Sequence, residues 1–297
     1  MVDRRFINIY WAPNDMSIRI VTDSTSDIPI ETAAEHNITV VPAYVNIGEE
    51  SFLDGVELSR SDFYKGLPGY TTHPTTAAPA PGAFTDVYNL LAGDGATEIL
   101  SIHISENLSG ILNAARIGAA ETAAVNVTFV DSEQLTMGLG LLAITAANFA
   151  AAGKRIDQIV SSIEERIPRT FVFGLLDTLE YLRRSGRLGW AEFGFGTLLN
   201  IKPMVRVHTG NVEMLEKVRT SKRALSKMIN LIEDLGALEQ MALLHIGGGK
   251  RLDAFKKQTQ HLYPENEKPL AVELTPALGA HIGPGGLGVA CIVAEDN

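Results

Sequence analysis

The stretch that decides the fold is "ATEILSIHISENLSGILNAARIGAAETAAVNVTFVDS", residues 96–132. Its two ends, residues 96–105 and 125–132, are short apolar runs of the kind that form buried strands. The segment between them, residues 109–123, has the composition of a helix. A strand, a helix and a second strand in this order predict a βαβ unit, and such units build largely parallel sheets.

The same alternation continues on both sides of this stretch. Further strands are predicted at "IRIVTD" (18–23) and "ITVVPAYVNI" (38–47), and further helices at residues 81–93 and 137–153. The last of these helices is rich in Ala and has no charged residue, which is typical of a buried helix. Together these elements predict an α/β domain with a largely parallel sheet over residues 16–164.

The regular alternation of strands and helices ends near Lys154. The segment "IKPMVRVHTGNVEMLEKVR", residues 201–219, predicts a hairpin that turns at residues 208–211. This mixture of helices and strands predicts a second α/β domain over residues 165–297. Beyond Lys154, helices are predicted at residues 155–167, 221–236 and 251–264, and strands at residues 240–249, 269–276 and 287–295.

Composition and charge exclude several classes of function. The chain has 297 residues, of which 45% are apolar, so it can bury a sizeable core. Its net charge of −10 argues against a nucleic-acid partner, which requires clustered Lys and Arg. The single cysteine, Cys291, cannot form an intramolecular disulfide and is expected in the core. The seven His show no metal-ligand spacing, so no metal is expected, and no cofactor is expected either.

The location of the protein is predicted from the apolar runs. No run has the length of a signal peptide core or of a membrane span, so the expected location is the cytoplasm. Residues 1–15 resemble an additional arm before a natural start at Met16.

Two serines follow strands that end alike, "IVTDS" at Ser24 and "TFVDS" at Ser132. In parallel sheets, ligands bind beyond the carboxyl ends of the strands, so both serines are candidate ligand contacts. Because Asp and Ser are also common turn and cap residues, a purely structural role is the alternative.

Three loops add further candidates. Thr76 lies in "TTHPTTAAPAPGAF", where its hydroxyl either caps the next helix or contacts a ligand. Ser109 and Gly110 begin a helix, whose free N–H groups suit a carboxylate, although Ser109 is also a common type of cap. Arg187 follows Gly186 at the end of a short helix and is a candidate for a fixed role.

The fourth candidate is His281, in the glycine-rich segment "PALGAHIGPGGLG", residues 276–288. The glycines predict a loop of flexible backbone that brings the imidazole to a ligand, and a structural histidine is the alternative. Neither "HIGGGKR" (245–251) nor "GPGGLG" (283–288), the end of this segment, is a nucleotide-binding loop, because the first lacks the spacing and the second lacks the following helix. No nucleotide site is therefore expected.

Taken together, these motifs resemble the DegV family of fatty-acid-binding proteins, from Ile18 to the C-terminus. The motifs that carry the resemblance are "VTDSTSDIP", "TTAAPAPGAF", "ISENLSGILNAAR", "FVDS", "LEYLRRSGRL", "IKPM" and "GAHIGPGGLG". Each is weak alone, and their order and spacing make the resemblance specific.

The resemblance implies a non-enzymatic lipid carrier with two α/β domains and an acyl chain buried in the cleft between them. It implies that Thr76, Ser109 and His281 hold the carboxylate of a long-chain fatty acid. Arg187 is carried over for partner docking or for the polarity of the head-group site. Members of the bacterial fatty acid kinase system present the bound acid to a separate kinase subunit, which forms an acyl phosphate.

The sequence departs from the family pattern at residues 76–79, where many members have T-S-Q-P and this chain has T-A-A-P. The threonine is kept and two polar side chains are lost. This departure concerns the head-group details and the kinase partnership more than lipid binding itself.

Two enzymatic alternatives remain open from the sequence. The first is a serine esterase or acyl-transfer enzyme with Ser109 as nucleophile and His281 as base, although "NLSGI" is not the G-x-S-x-G elbow. The second is a relative of dihydroxyacetone kinases, whose substrate domains share this type of fold and in which a His can hold a ketone covalently. That relative would need a nucleotide site on a partner.

Overall fold

The structure is a computed structural model that describes residues 17–187, 202–218, 220–265 and 268–295. The predicted arm at residues 1–15 lies outside this described part of the chain. Within the described residues the chain forms three sheets, which have four, six and three strands. None of the helices in this part of the chain combines the length and the apolar composition that a membrane span needs.

The strands and helices are numbered along the chain. The strands are β1 (Ile18–Asp23), β2 (Ile38–Val41), β3 (Tyr44–Ile47), β4 (Glu50–Leu53), β5 (Thr75–Ala77), β6 (Glu98–His103), β7 (Asn126–Asp131), β8 (Thr170–Leu176), β9 (Lys202–His208), β10 (Asn211–Val218), β11 (Leu238–Ile246), β12 (Leu270–Glu273) and β13 (Gly286–Val293). The helices are α1 (Ile30–Glu35), α2 (Arg60–Gly66), α3 (Pro81–Gly93), α4 (Ile111–Ala120), α5 (Thr136–Ala151), α6 (Ile156–Arg166), α7 (Glu180–Ser185), α8 (Ser221–Glu233), α9 (Gly249–Thr259) and α10 (Pro276–Ile282).

The four-stranded sheet is parallel throughout and confirms the α/β class predicted from residues 96–132. Its order is β2-β1-β6-β7, and Ile20 in β1 pairs with Ile38 in β2 and with Leu100 in β6. The direction in which successive strands are added reverses between β1 and β6. The carboxyl ends of these two strands therefore form a topological switch point, where ligands bind in open α/β sheets.

The six-stranded sheet is built from the second half of the chain and is mostly antiparallel. Its order is β10-β9-β8-β13-β11-β12, in which β11 and β12 run parallel. The predicted hairpin is confirmed by β9 and β10, which turn at Thr209 and Gly210. Cys291 in β13 is a buried core residue, as predicted, and burial raises the pKa of its thiol to about 12.

Helix α5 lies between the two large sheets. Buried residues face every side of it, which confirms the prediction of a buried helix for this Ala-rich segment. It contacts β1 and β6 of the parallel sheet and β8, β11 and β13 of the other sheet. One apolar core therefore includes Ile20, Leu142 of α5 and Ile292. The predicted domain boundary between residues 164 and 165 falls within α6 and stays a prediction.

Two elements differ from the sequence prediction. Residues 75–77 fall in a stretch predicted as a loop, but they form β5, in which Thr76 pairs with Val45 of β3. The glycine-rich segment around His281 is predicted as a flexible loop, and this is wrong, because its first part forms helix α10. Pro276 occupies the first position of α10, where its missing N–H does not interrupt the helix.

Candidate functional site

An apolar cavity lies between the carboxyl ends of the parallel sheet and the six-stranded sheet. Thr25 and Ile104, which follow β1 and β6, line one side, and Val172 of β8 and Val205 of β9 line another. The cavity volume is about 190 Å³. Its walls are mostly aliphatic, and a concave space of this kind suits an apolar ligand with a few fixed polar contacts.

Most of the predicted site residues line this cavity. Thr76 lies on β5, Ser109 and Gly110 precede α4, and the other two come from the second half of the chain. These two are Arg187, which follows α7, and His281, in the last turn of α10. The fold thus gathers polar groups from four separate segments at one cavity.

His281 and Thr76 form a hydrogen-bonded pair, with 2.8 Å between Nε2 of His281 and Oγ1 of Thr76. Burial, aided by the positive charges of Arg187 and His73, lowers the pKa of His281 to about 4. The imidazole is therefore neutral at pH 7 and carries one N–H.

The position of the remaining imidazole proton follows from the surroundings of the ring. The Nδ1 atom of His281 is buried and has no hydrogen-bond partner among the described residues. Because an unpaired buried N–H is rarer than an unpaired acceptor, we assign the proton to Nε2, which then donates to Thr76. This assignment leaves the hydroxyl proton of Thr76 available to a ligand.

Ser109 presents a second hydroxyl to the cavity. Its side chain is half-buried, and its oxygen accepts a long hydrogen bond of 3.4 Å from the N–H of Ile111. Within the described residues, the hydroxyl proton of Ser109 has no acceptor. A carboxylate at this end of the cavity can therefore accept from both Ser109 and Thr76.

Nothing in the sequence singles out two further hydroxyls of the wall, Thr25 and Thr136. The hydroxyl of Thr25 donates to Asp23, and that of Thr136 donates to Asp27 at 2.6 Å. Their protons are thus engaged with buried carboxylates, in contrast to those of the predicted pair.

Arg187 brings positive charge to the same cavity. Its side chain is exposed, and its Nη1 donates to the carbonyl of Ser185 at 2.5 Å. A guanidinium has further donors, and its charge favours an anion at this end of the cavity.

The structure places the other two candidates, Ser24 and Ser132, outside the cavity lining. The hydroxyl of Ser24 accepts from the N–H of Ala43, and the buried hydroxyl of Ser132 donates to the carbonyl of His103 at 2.6 Å. Both serines thus bond backbone groups, as the turn-and-cap alternative expects. We leave them out of the site.

The glycines around His281 allow close approach rather than flexibility. A Cβ atom on Gly279 would lie 2.7 Å from the ring of Phe63 and 2.6 Å from the hydroxyl of Tyr64. Gly283 has a φ of 84°, and a Cβ atom there would lie 2.3 Å from the ring of Tyr181. The glycines thus let α10 and the following turn pack tightly and hold His281 in place.

Metal binding is not indicated at this site. The described part of the chain contains no group of three or more His, Cys, Asp or Glu side chains that could hold a metal ion.

Comparison with known proteins finds a family match over nearly the whole chain and relatives of similar sequence. A family model described as "Uncharacterised protein, DegV family" matches residues 17–294. A DegV domain-containing protein from Streptomyces coelicolor is 37% identical over 275 residues, which cover 92% of this chain and 97% of that protein.

Two solved structures extend the comparison to three dimensions. The first is a fatty acid binding protein of the DegV family from Thermus thermophilus. It has a TM-score of 0.84 and 30% sequence identity, and the match covers 94% of this chain and 100% of that one. DegV from Bacillus subtilis, a fatty acid binding protein, has a TM-score of 0.85 and 29% identity, with 93% and 99% covered. With the family match over nearly all of its length, this chain belongs to the DegV family.

Proposed function

We propose that the protein binds a long-chain fatty acid without converting it, with the tail in the apolar cavity and the carboxylate at the hydroxyls of Ser109 and Thr76, the second of which His281 orients. The observation that carries the proposal is an aliphatic cavity that contains two hydroxyls with available protons. The fatty acid binding of the Thermus thermophilus and Bacillus subtilis relatives supports it.

The energetics divide between the tail and the head group. Burial of a saturated 16-carbon tail contributes roughly 10 kcal/mol gross at about 0.8 kcal/mol per methylene, from which association and ordering remove several kcal/mol. A carboxylate out of water is unfavourable unless it is hydrogen-bonded. The tail therefore supplies most of the affinity, and the polar end selects an acid and fixes its orientation.

The direct test is to extract the purified protein with organic solvent and identify the released lipid by mass spectrometry. The delipidated protein is then titrated with palmitic acid. A stoichiometric fatty acid in the extract, or saturable binding in the titration, is the expected result. A protein that releases no acyl lipid and binds none refutes the proposal.

The second part of the proposal is presentation of the bound acid to a separate kinase subunit in the cytoplasm. The exposed side chain of Arg187 supports it, because it places positive charge at the cavity of an otherwise acidic protein. The test is to add ATP and a candidate kinase to the acid-loaded protein and to trap acyl phosphate with hydroxylamine. If no candidate kinase yields a hydroxamate, this second part of the proposal is contradicted, and fatty acid binding itself is not.

The esterase alternative requires a hydrogen bond between Ser109 and His281, which these two residues do not form. A serine nucleophile needs a base within reach, but Nε2 of His281 bonds Thr76, and Nδ1 has no partner among the described residues. The triose alternative is not favoured either, because a small polyhydroxylated ligand would leave the aliphatic walls unmatched.

A serine–histidine–aspartate arrangement does exist elsewhere, in the protein core. Oγ of Ser101 lies 2.7 Å from Nε2 of His103, whose Nδ1 lies 2.9 Å from Asp23. All three residues are fully buried, and Ser101 is also bonded to the hydroxyl of Tyr88. Ser101 does not line the cavity. We therefore interpret these hydrogen bonds as support for the cavity wall at Thr25, whose N–H donates to Asp23.

A further inference from the structure

Two aspartates, Asp27 and Asp54, lie buried behind the cavity wall. They are 1% and 2% exposed, and neither lines the cavity itself. Burial raises the pKa of Asp27 to about 6 and also raises the pKa of Asp54. Buried carboxylates are unfavourable by themselves, so their hydrogen bonds show what they are used for.

Asp54 holds the beginning of helix α10. Its Oδ1 accepts from the hydroxyl of Thr275 at 2.7 Å and from the N–H of Ala277 at 3.0 Å. Thr275 precedes the first residue of α10, and the N–H of Ala277 is one of the groups that a helix leaves unpaired at its start. Asp54 therefore acts as a cap supplied from a distant part of the chain.

Asp27 ties the same point to helix α5. Its Oδ1 accepts from the N–H of Thr275 at 2.7 Å, and its Oδ2 accepts from the hydroxyl of Thr136 at 2.6 Å. Thr136 and Ala277 both line the cavity. The two carboxylates thus join two walls of the cavity through Thr275.

Packing also fixes α10. Gly279 lies against Phe63 and Tyr64, and the hydroxyl of Tyr64 donates to the carbonyl of Leu274 at 3.1 Å. While Asp54 holds the beginning of α10, its last turn places His281 2.8 Å from Thr76.

We propose that Asp54 and Asp27 are positioning residues of the head-group site, which hold α10 so that His281 orients the hydroxyl of Thr76 toward a carboxylate. This inference rests on the proposed fatty acid binding. It adds that selectivity for an acid over an alcohol of the same length depends on two residues that do not touch the ligand.

The test compares palmitic acid with 1-hexadecanol, both delivered from cyclodextrin to delipidated protein. The two probes share a tail, so their affinity ratio isolates recognition of the head group. Asp54→Ala should displace α10 and so weaken the hydrogen bonds from the head-group site to the carboxylate of palmitic acid. The affinity for palmitic acid should therefore fall about tenfold or more, as expected when hydrogen bonds to a charged group are lost. The affinity for hexadecanol should change less than about twofold. Asp54→Asn keeps an acceptor oxygen and should restore most of the ratio.

Thr275→Val provides a second variant should Asp54→Ala not fold, because it removes the hydroxyl that donates to Asp54 and leaves the carboxylate in place. It should lower the acid-to-alcohol ratio in the same direction. Phe255→Leu, in the separate core of the six-stranded sheet, is the control for lost stability and should leave the ratio unchanged.

The outcomes separate this inference from the proposed function. Equal loss of both probes in Asp54→Ala and Thr275→Val, or no loss of either, overturns the positioning role while fatty acid binding stands. Wild-type protein that binds neither probe overturns both. A selective loss of the acid in either variant, with the ratio kept in Phe255→Leu, supports the positioning role.

Discussion

At the scale of single residues, the site combines two hydroxyls with a neutral imidazole. Ser109→Ala removes a hydroxyl whose proton no described residue accepts and whose oxygen accepts only a long hydrogen bond, so it should leave stability nearly unchanged and weaken fatty acid binding. The expected loss is about 1.5–3 kcal/mol, or about tenfold or more in affinity for palmitic acid. Thr76→Ala and His281→Ala should weaken binding in the same direction.

Calorimetric titration of delipidated variants measures these losses. Ser161→Ala, on the exposed face of α6, makes the same chemical change away from the cavity and should bind as the wild type does. If Ser109→Ala bound palmitic acid as tightly as the control Ser161→Ala, the carboxylate would not lie at Ser109.

The imidazole of His281 also makes stability depend on pH. Burial lowers the pKa of His281 to about 4 in the folded protein, whereas an unperturbed imidazole, as in the unfolded chain, has a pKa of about 6.5. The unfolded chain therefore binds more protons between pH 6.5 and 4, and the folded state loses stability as pH falls through this window. The contribution is about 3 kcal/mol at 1.36 kcal/mol per pH unit. His281→Gln should lose less stability on acidification, as measured by urea unfolding at pH 4 and pH 7, and an unchanged loss contradicts the assignment.

Asp27 acts in the opposite direction over nearly the same window. Burial raises the pKa of Asp27 from 3.8 to about 6, so the folded protein binds the additional proton. Its contribution to stability is complete below pH 3.8 and is lost as pH rises through 6. Asp27→Asn removes this term, so its stability relative to the wild type should improve between pH 4 and 7. A relative stability that does not change with pH in urea unfolding contradicts the prediction.

At the scale of secondary-structure elements, α5 couples the two large sheets. Leu142 is fully buried in the core that spans both sheets, and Leu142→Ala should destabilise the protein by about 2–5 kcal/mol. Because both sheets share the helix, urea unfolding monitored by fluorescence and circular dichroism should keep one transition. Ile117→Ala, at an exposed apolar position of α4, is the control and should change stability by less than about 0.5 kcal/mol. Two separated transitions in Leu142→Ala would contradict the coupling.

Elements with strong local patterns could be predicted from the sequence. The alternation in residues 96–132 gives β6, α4 and β7, and the absence of charge in residues 137–153 gives the buried helix α5. The hairpin of β9 and β10 also follows from its own turn. Each of these depends on residues that are close in sequence, so a single chain contains enough information.

Elements decided by distant contacts could not be predicted. β5 forms because Thr76 pairs with Val45, and α10 packs through Gly279 against residues of α2. Asp54 bonds Thr275 across 221 positions of the chain, so no local pattern marks it as part of the site. The motifs of the DegV resemblance predict Thr76, Ser109 and His281 as ligand contacts and give no indication of what holds them in place.

At the scale of the whole molecule, the cavity is shared between the two sheets. Residues after β1 and β6 line one side, and residues of β8 and β9 line another, while the head-group residues come from both halves of the chain. A ligand that fills this cavity contacts both halves at once. Its binding free energy therefore adds to the stability of the complete fold rather than to one half.

Loading with ligand should accordingly stabilise the whole molecule in one step. At a free palmitic acid concentration of about 100 times Kd, the free energy of unfolding should rise by about 2.7 kcal/mol, still with one transition. Hydrogen exchange of the same samples should slow in β1 and β6 as well as in β8 and β9, because their ends or side chains form the cavity wall. Ser109→Ala at the same concentration of acid is the control and should gain less. Slower exchange confined to one sheet, or a second unfolding transition on loading, would mean that the acid binds to one half of the molecule and not in the shared cavity.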